Sequence, residues 1–175
     1  AQRLITLVDD IIRLSRLDEG GGDMARESVD LLQSARDVTE QLAAYAQRQQ
    51  VQLSCQGDSA VISAVPRLVS GILFNLCDNG IKYNVPGGSV TVTVSKRPHE
   101  AVLQVRDTGI GIPKEHQNRV FERFYRVDKS HSKEIGGTGL GLSIVKHAAL
   151  IHGATVELDS APNKGTTVTV RFPCS

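Results

Sequence analysis

The chain has 175 residues, which is enough for one compact domain and a short appendage. Its 20 basic and 19 acidic residues give a net charge of +1, which argues against a nucleic-acid surface or an electrostatic membrane tether. No apolar run approaches the roughly 20 residues that span a bilayer, and no secretory signal peptide is recognisable. Cys55, Cys77 and Cys174 lack metal-ligand spacing, so we expect reduced thiols that serve packing.

Residues 1–19 show an apolar pattern that predicts a helix in need of partners. Leu4, Leu7, Ile11 and Leu14 fall at heptad spacing, and a single helix cannot bury such a stripe alone. Three glycines at 20–22 predict a flexible hinge, although an ordinary surface helix is the alternative. Because the chain opens without Met inside a helical pattern, we expect a fragment of a longer protein, divided into 1–22 and 23–175.

The rest of the chain groups helical patterns with paired strand patterns. Helices are predicted at 30–48 with Asp30 as N-cap, at 66–84 opening with Pro66, and at 139–151. Strands are predicted at 51–55 and in two hairpins, 89–96 with 101–107 and 155–160 with 166–172. We therefore expect an α+β sandwich, with one mixed sheet covered on one face by helices.

The segment DTGIGIP (107–113) directly follows a predicted strand. Its glycines allow backbone to approach a ligand closely, and Asp107 offers an acceptor at the strand end. A plain strand–turn–helix junction explains the same D-x-G-x-G pattern, so the two interpretations stay open.

A second glycine cluster, GGTGLGLSIVKH (136–147), opens a helix. Such a junction can direct backbone N–H groups and the positive end of the helix dipole at a phosphate. The cluster lacks the Lys-Ser/Thr of a Walker A loop, and a flexible hinge is the alternative. Its long lead-in, VDKSHSKEI (127–135), is typical of a mobile lid.

The segment NLCDNGIKYN (75–84) places Asn75, Asn79 and Lys82 on one helix face. Amide oxygens suit Mg²⁺, which binds through few protein ligands and keeps its waters and phosphate oxygens. Lys82 would then pair with phosphate. For Asn75, a structural hydrogen bond is the alternative.

The segment FERFYRVD (121–128) combines aromatic residues with Arg123 and Arg126, and alone it indicates core packing. Taken in order, the Asn-containing helix, D-x-G-x-G, this segment, the glycine-led helix and the final KGTT (164–167) resemble the catalytic domain of sensor histidine kinases. That family belongs to the GHKL ATPases, with gyrase and the ATP-dependent heat-shock chaperone. The resemblance implies the Bergerat fold, a two-layer α/β sandwich preceded by part of a dimerisation helix.

The resemblance also implies how the base of ATP is bound. Asp107 would accept from the adenine amino group, Thr166 would assist through water, and Tyr83 would pack beside the nucleoside. The other residues that would shape the pocket and the hinge of the lid are Gly109, Gly111, Ile112, Gly137, Thr138, Gly139, Leu140, Gly141 and Leu142.

For the phosphates, the resemblance implies that Asn79 ligates Mg²⁺ with help from Asn75. Lys82 and Arg126 would reach the phosphates, so that Asn79, Lys82 and Arg126 are the expected catalytic residues.

Two departures from the family pattern stand out. Asp78 and Gly80 flank Asn79, where the family commonly has Asn-Ala, and Asn163 replaces the glycine that often begins the last motif. Because Asn tolerates the left-handed conformation, we expect nucleotide binding to survive.

The expected reaction is phosphoryl transfer from ATP to a histidine that this chain lacks. None of its five histidines has the family's H-E/D-x-x-T/N-P setting, and residues 1–19 resemble the second dimerisation helix. The implied partners are the protein's own dimerisation and phosphotransfer domain in a homodimer, and a response-regulator receiver domain, with no nucleic acid. The implied location is the cytoplasmic side of a bacterial receptor, joined to the membrane only through upstream segments.

Two other functions remain open at this point. One is a regulatory module that binds nucleotide without transferring phosphate. The other is a GHKL ATPase, which would want a catalytic Glu ahead of Asn75, where VPRLVSGILF (65–74) contains no acid.

Overall fold

The computed structural model describes residues 25–122 and 141–174. The predicted helix at 1–19, the hinge at 20–22 and the segment 123–140 lie outside the described residues. The described helices are α1 (Leu31–Arg48), α2 (Pro66–Lys82) and α3 (Gly141–Ile151), with one short 3-10 turn at Lys114–His116. The strands are β1 (Glu27–Asp30), β2 (Gln52–Gly57), β3 (Val61–Ala64), β4 (Ser89–Arg97), β5 (Glu100–Asp107), β6 (Thr155–Ser160) and β7 (Thr166–Pro173).

Five strands form one mixed sheet in the order β2-β4-β5-β7-β6. β2 runs parallel to β4, and the other neighbouring strands are antiparallel. Both predicted hairpins are confirmed, since β4 pairs with β5 and β6 pairs with β7. The predicted α+β class with a mixed sheet is confirmed with them.

Alternate apolar positions on the strands form the inner face of the sheet. Val94, Leu103 and Val170 are fully buried and lie side by side in register across β4, β5 and β7. The three helices cover this face, with Ile72 and Leu73 of α2 fully buried between the layers. Each such side chain contributes roughly 1.5–3 kcal/mol on burial, so this layer stabilises the fold.

The opposite face of the sheet is polar, and none of the described helices covers it. Arg171 of β7 donates to Glu100 at 3.0 Å and to Glu157 at 3.3 Å. Glu157 is well exposed, so each of these ion pairs stabilises the fold by only about 0–1 kcal/mol. Val102 and Thr169 are nevertheless buried on this face.

A second, two-stranded sheet pairs β1 with β3, and the sequence did not predict it. Each strand has four residues, and β3 buries only Ile62 and Ala64. An alternating pattern of two inward residues is too short to separate from a loop, which explains the omission.

Asp30 joins this small sheet to α1. It caps α1 as predicted, because its carboxylate accepts from the Leu32 backbone N–H at 3.1 Å. The same side chain accepts from the Ala60 N–H at 3.1 Å and from the Ser59 hydroxyl at 2.8 Å.

His152 fixes the end of α3 against the start of α2. Its Nε2 accepts from the Val65 backbone N–H at 3.0 Å, while its Nδ1 lies 2.7 Å from the Ala148 carbonyl. A carbonyl only accepts, so Nδ1 carries the proton and the ring is neutral. Burial lowers the pKa of His152 and favours the same neutral form.

None of the helices in 25–122 and 141–174 is long and apolar enough to cross a membrane. Cys55, Cys77 and Cys174 are all free, as the sequence predicted. Burial raises the pKa of Cys77 to about 12, which makes its thiol unreactive and fits a packing role.

Candidate functional site

Asp107 is the last residue of β5, where the sheet register places it between Val90 of β4 and Thr166 of β7. Its Oδ1 accepts from the backbone N–H of Gly109 at 2.9 Å and from that of Thr166 at 3.2 Å. No described residue donates to Oδ2. The carboxylate is thus held through one oxygen and presents the other to a ligand.

Burial raises the pKa of Asp107 to about 6, although the two backbone N–H groups act in the opposite direction. The group is therefore mostly ionised at neutral pH and accepts hydrogen bonds only. A half-buried carboxylate with a shifted pKa is a common mark of a functional site.

Close backbone contacts explain the glycines that follow Asp107. A Cβ on Gly109 would collide with the carbonyl oxygen of Tyr83, and one on Gly111 would collide with that of Ala161. Gly111 also has a φ of +71°, which L side chains adopt with strain. The loop is consequently pressed between the end of α2 and the end of β6.

Two residues that the sequence did not single out hold this loop in place. The Ser160 hydroxyl accepts from the Ile112 N–H at 2.8 Å and lies 2.8 Å from the Thr166 hydroxyl. Gln117 donates to the carbonyls of Ile112 and Ser160, at 2.9 and 2.8 Å. The register of the second hairpin, which sets Ser160 opposite Thr166, was the one available signal.

The Asn face of α2 meets the first residue of α3. Asn75 is buried and donates through Nδ2 to the Gly71 carbonyl at 2.7 Å, which leaves its Oδ1 for another partner. A Cβ on Gly141 would lie 3.3 Å from that oxygen and 3.4 Å from Nδ2 of Asn79. Glycine therefore lets the backbone of α3 approach both amides.

Lys82 does not stand alone at the end of α2. Its ammonium lies 2.8 Å from the carboxylate of Asp78, and both side chains are mostly shielded from solvent. Burial acts to lower the pKa of Lys82, but the charge and hydrogen bond of Asp78 outweigh it, so the pKa is raised. The lysine is thus fully charged and already paired.

The two departures from the family pattern have structural explanations. A Cβ on Gly80 would lie 3.1 Å from a Val90 methyl group and 3.5 Å from Cβ of Asp107. Glycine therefore lets α2 pack closely against β4 and the end of β5. Asn163 adopts the predicted left-handed conformation, with a φ of 63°, and donates to the Ile110 carbonyl at 2.7 Å.

The structure brings most of the predicted residues together. The C-terminal half of α2 contacts the Asp107 loop through Gly80 and Tyr83, whose carbonyl accepts from the Ile110 N–H at 3.0 Å. Leu142, in the first turn of α3, is partly buried and packs against the core. The predicted contacts that lie outside the described residues, and stay predictions, are Arg126, Gly137, Thr138, Gly139 and Leu140.

The donor set suits a hard cation held by few protein ligands. In the described residues, no group of three or more His, Cys, Asp or Glu side chains is arranged to hold a metal. The hydrogen bond of Asn75 Nδ2 directs its amide so that an oxygen remains beside Asn79. Two amide groups would suit Mg²⁺, which keeps most of its other ligands as water or phosphate oxygens, better than a metal that needs a full protein cage.

This chain is similar to known nucleotide-binding proteins. The family model described as histidine kinase-, DNA gyrase B- and HSP90-like ATPase matches residues 64–175. Sensor-like histidine kinase SenX3 of Mycobacterium tuberculosis is 38% identical over 175 residues, which is 99% of this chain and 42% of SenX3. Sensor histidine kinase WalK of Bacillus subtilis is 33% identical over 98% of this chain and 29% of WalK.

Among solved structures, full-length ShkA in complex with AMPPNP matches with a TM-score of 0.84 and 25% identity, covering 98% of this chain and 36% of ShkA. The chain therefore spans less than half the length of these relatives. The chain belongs to the family of histidine kinase-, DNA gyrase B- and HSP90-like ATPases, and within it to the catalytic domains of sensor histidine kinases.

Proposed function

We propose that this chain binds ATP with Mg²⁺ and transfers the γ-phosphoryl group to a histidine supplied by the protein's dimerisation domain. The observation that carries the proposal is the convergence of two segments, the Asp107 loop and the start of α3, on the C-terminal half of α2 and the residue after it. The Asp107 loop contacts it at Gly80 and Tyr83, and α3 contacts it at Asn75 and Asn79. The carboxylate that would bind the base and the helix start that would bind the phosphates thereby lie against the same helix.

Asp107 is suited to recognise adenine. With Oδ1 occupied by two backbone N–H groups, Oδ2 accepts from the 6-amino group of the base. A 6-oxo purine would place an acceptor against this acceptor, and an unpaired buried polar group is costly. The site therefore selects ATP over GTP, with the Thr166 hydroxyl assisting through water.

The Asn face and the start of α3 are suited to the phosphates. Asn79, assisted by Asn75, would hold Mg²⁺, which neutralises phosphate charge when bound. Backbone N–H groups at the start of α3 point along the helix dipole toward an anion. Lys82 and Arg126 would complete the charge around the triphosphate.

The acceptor histidine comes from outside this chain. Both ring nitrogens of the buried His152 are engaged, which leaves no lone pair for phosphate. Phosphoryl transfer depends on positioning and charge neutralisation, so an acceptor brought to the γ-phosphate by the dimerisation domain suffices. A receiver-domain aspartate on a response regulator then takes the phosphate.

The test compares this chain with the full-length protein. We expect calorimetry to detect binding of ADP and of ATP with Mg²⁺ by this chain, and labelled ATP to leave no acid-labile phosphate on it. The full-length protein should form phosphohistidine, and a dimerisation domain added in trans should restore weak transfer. Absence of nucleotide binding at millimolar concentration contradicts the proposal.

A hydrolytic ATPase would give a different outcome. It would need a general base ahead of Asn75, and the ten residues from Val65 to Phe74 contain no acid. Rapid ADP release by the full-length protein without any phosphohistidine would favour hydrolysis over transfer.

A further inference from the structure

The Asp78–Lys82 ion pair differs from the other ion pairs of the described residues in its shielding. Its atoms lie 2.8 Å apart, and the two side chains are 18% and 19% exposed. The Arg119–Glu122 pair has the same kind of helical-turn spacing, but its side chains are 59% and 54% exposed. Water and salt therefore screen the Asp78–Lys82 pair far less.

The pair occupies the side of α2 that the proposed function gives to the phosphates. Lys82 shares a face with Asn79, and Asp78 precedes Asn79 directly. An ammonium group has three donors, and the carboxylate of Asp78 engages the ammonium of Lys82. A phosphate that approaches Lys82 must therefore come close to the Asp78 carboxylate.

We propose that Asp78 is a positioning residue that holds the Lys82 ammonium until nucleotide phosphates displace its carboxylate. Asp78 thereby sets how strongly the affinity of the site depends on the number of phosphates in the nucleotide. The inference rests on the proposed function, because that function assigns Lys82 to the phosphates. Two anions within reach of one cation repel each other, and the repulsion grows with the charge of the ligand. Asp78 thus opposes ATP more than ADP, and does not oppose adenosine.

This arrangement has two consequences for the catalytic cycle. Without phosphates beside it, Lys82 would be a mostly shielded and unpaired ammonium, and Asp78 neutralises this charge. After transfer, the product carries less charge than the substrate, so Asp78 competes more successfully for Lys82. Asp78 therefore narrows the preference of the site for ATP over ADP.

The experiment uses Asp78→Asn, which removes the charge and keeps the shape. Calorimetry with adenosine, ADP and ATP, the last two with Mg²⁺, should give an unchanged Kd for adenosine. ADP should bind roughly twofold tighter and ATP roughly five- to tenfold tighter, and both gains should shrink in high salt. Asp78→Glu restores the charge and should return all three Kd values close to those of the parent.

Glu157→Gln is the matched control, because it removes one carboxylate from an exposed ion pair on the polar face of the sheet. It should leave all three Kd values unchanged. An equal change for adenosine, ADP and ATP in Asp78→Asn would indicate a structural residue and overturn the inference. Weaker ATP binding only with Mg²⁺ would place the carboxylate on the metal and overturn it too. If the parent binds no nucleotide, the proposed function itself fails.

Discussion

The two ends of the candidate site are held by different kinds of interaction. At the proposed base end, Asp107 is held by backbone N–H groups from Gly109 and Thr166, and the sheet register pairs Asp107 with Thr166. At the phosphate end, Lys82 is held by another side chain, Asp78. Backbone contacts within a sheet stay in place as ligands come and go, whereas an ion pair can exchange partners. Under the proposed function, a base pocket held by backbone hydrogen bonds therefore adjoins a phosphate site whose ion pair can exchange partners.

The largest effect should come from breaking the rigid end at Gly111. A Cβ there meets the Ala161 carbonyl, and the φ of +71° disfavours any L side chain, so Gly111→Ala should lower the free energy of unfolding by roughly 2–4 kcal/mol. Urea unfolding measures it. Gly71→Ala is the control, because its Cβ would meet open space on α2, and it should be neutral or slightly stabilising. Equal effects of the two substitutions would contradict a rigid loop.

The second prediction concerns the chemistry of Asp107. In Asp107→Asn, the amide oxygen stays with the Gly109 and Thr166 N–H groups, so the amide nitrogen takes the place of Oδ2. A donor then faces the adenine amino group, and ADP should bind roughly 100-fold more weakly. The same donor suits a 6-oxo purine, so IDP should gain relative to ADP.

Calorimetry with both nucleotides measures this change. Asp159→Asn, on the polar face of β6, is the control and should bind like the parent. If Asp107→Asn leaves the ADP affinity unchanged, the base does not bind at this end of the sheet.

Local patterns in the sequence predicted residues at both ends of the site. Strict alternation placed Asp107 at the end of a strand, and the helical repeat placed Asn75, Asn79 and Lys82 on one face of α2. Both patterns are local, so a single sequence is enough to detect them. The α+β sandwich was predicted from the order of the predicted helices and strands along the chain.

The residues that were missed act over long separations. Ser160 contacts Ile112 across 48 residues, and Gln117 contacts Ser160 across 43, so no local pattern announces either. The pairing of Lys82 with Asp78 is local, yet the helical repeat alone cannot say which of several polar neighbours a lysine chooses. The short β1–β3 sheet was missed because four residues carry too little alternation.

The third prediction separates the metal from the base. Asn79 lies beside Gly141, the first residue of α3, and the proposed function assigns its amide to the metal and the phosphates. Asn79→Ala should weaken ATP binding with Mg²⁺ roughly tenfold, or about 1.4 kcal/mol, and metal-free ADP binding much less. Titrations with Mg²⁺ and with a chelator measure the difference. Equal losses under both conditions would indicate that Asn79 only supports the fold.

The smallest effect should be the pH dependence of base binding, which tests whether burial at the rigid end has a measurable consequence. Burial raises the pKa of Asp107 to about 6, so the acceptor form falls from nearly all of the protein at about pH 7.5 to about a quarter at about pH 5.5. Protonation places an O–H where the amino group needs an acceptor, and adenosine should therefore bind about fourfold more weakly at the lower pH. Adenosine is the right probe because it carries no phosphate that titrates in this range.

The sign is opposite for the stability of the ligand-free protein. The folded-state pKa of Asp107 lies above its unfolded value, so the stability from this group is present at low pH and is lost as the pH rises through about 6. His152 acts the other way, because its lowered pKa removes stability as the pH falls below its ordinary value of 6.5. The two groups partly cancel in an unfolding experiment, and adenosine affinity isolates Asp107. The Asp107→Asn profile should be flat, and a parent profile that is equally flat would mean that the carboxylate does not contact the base.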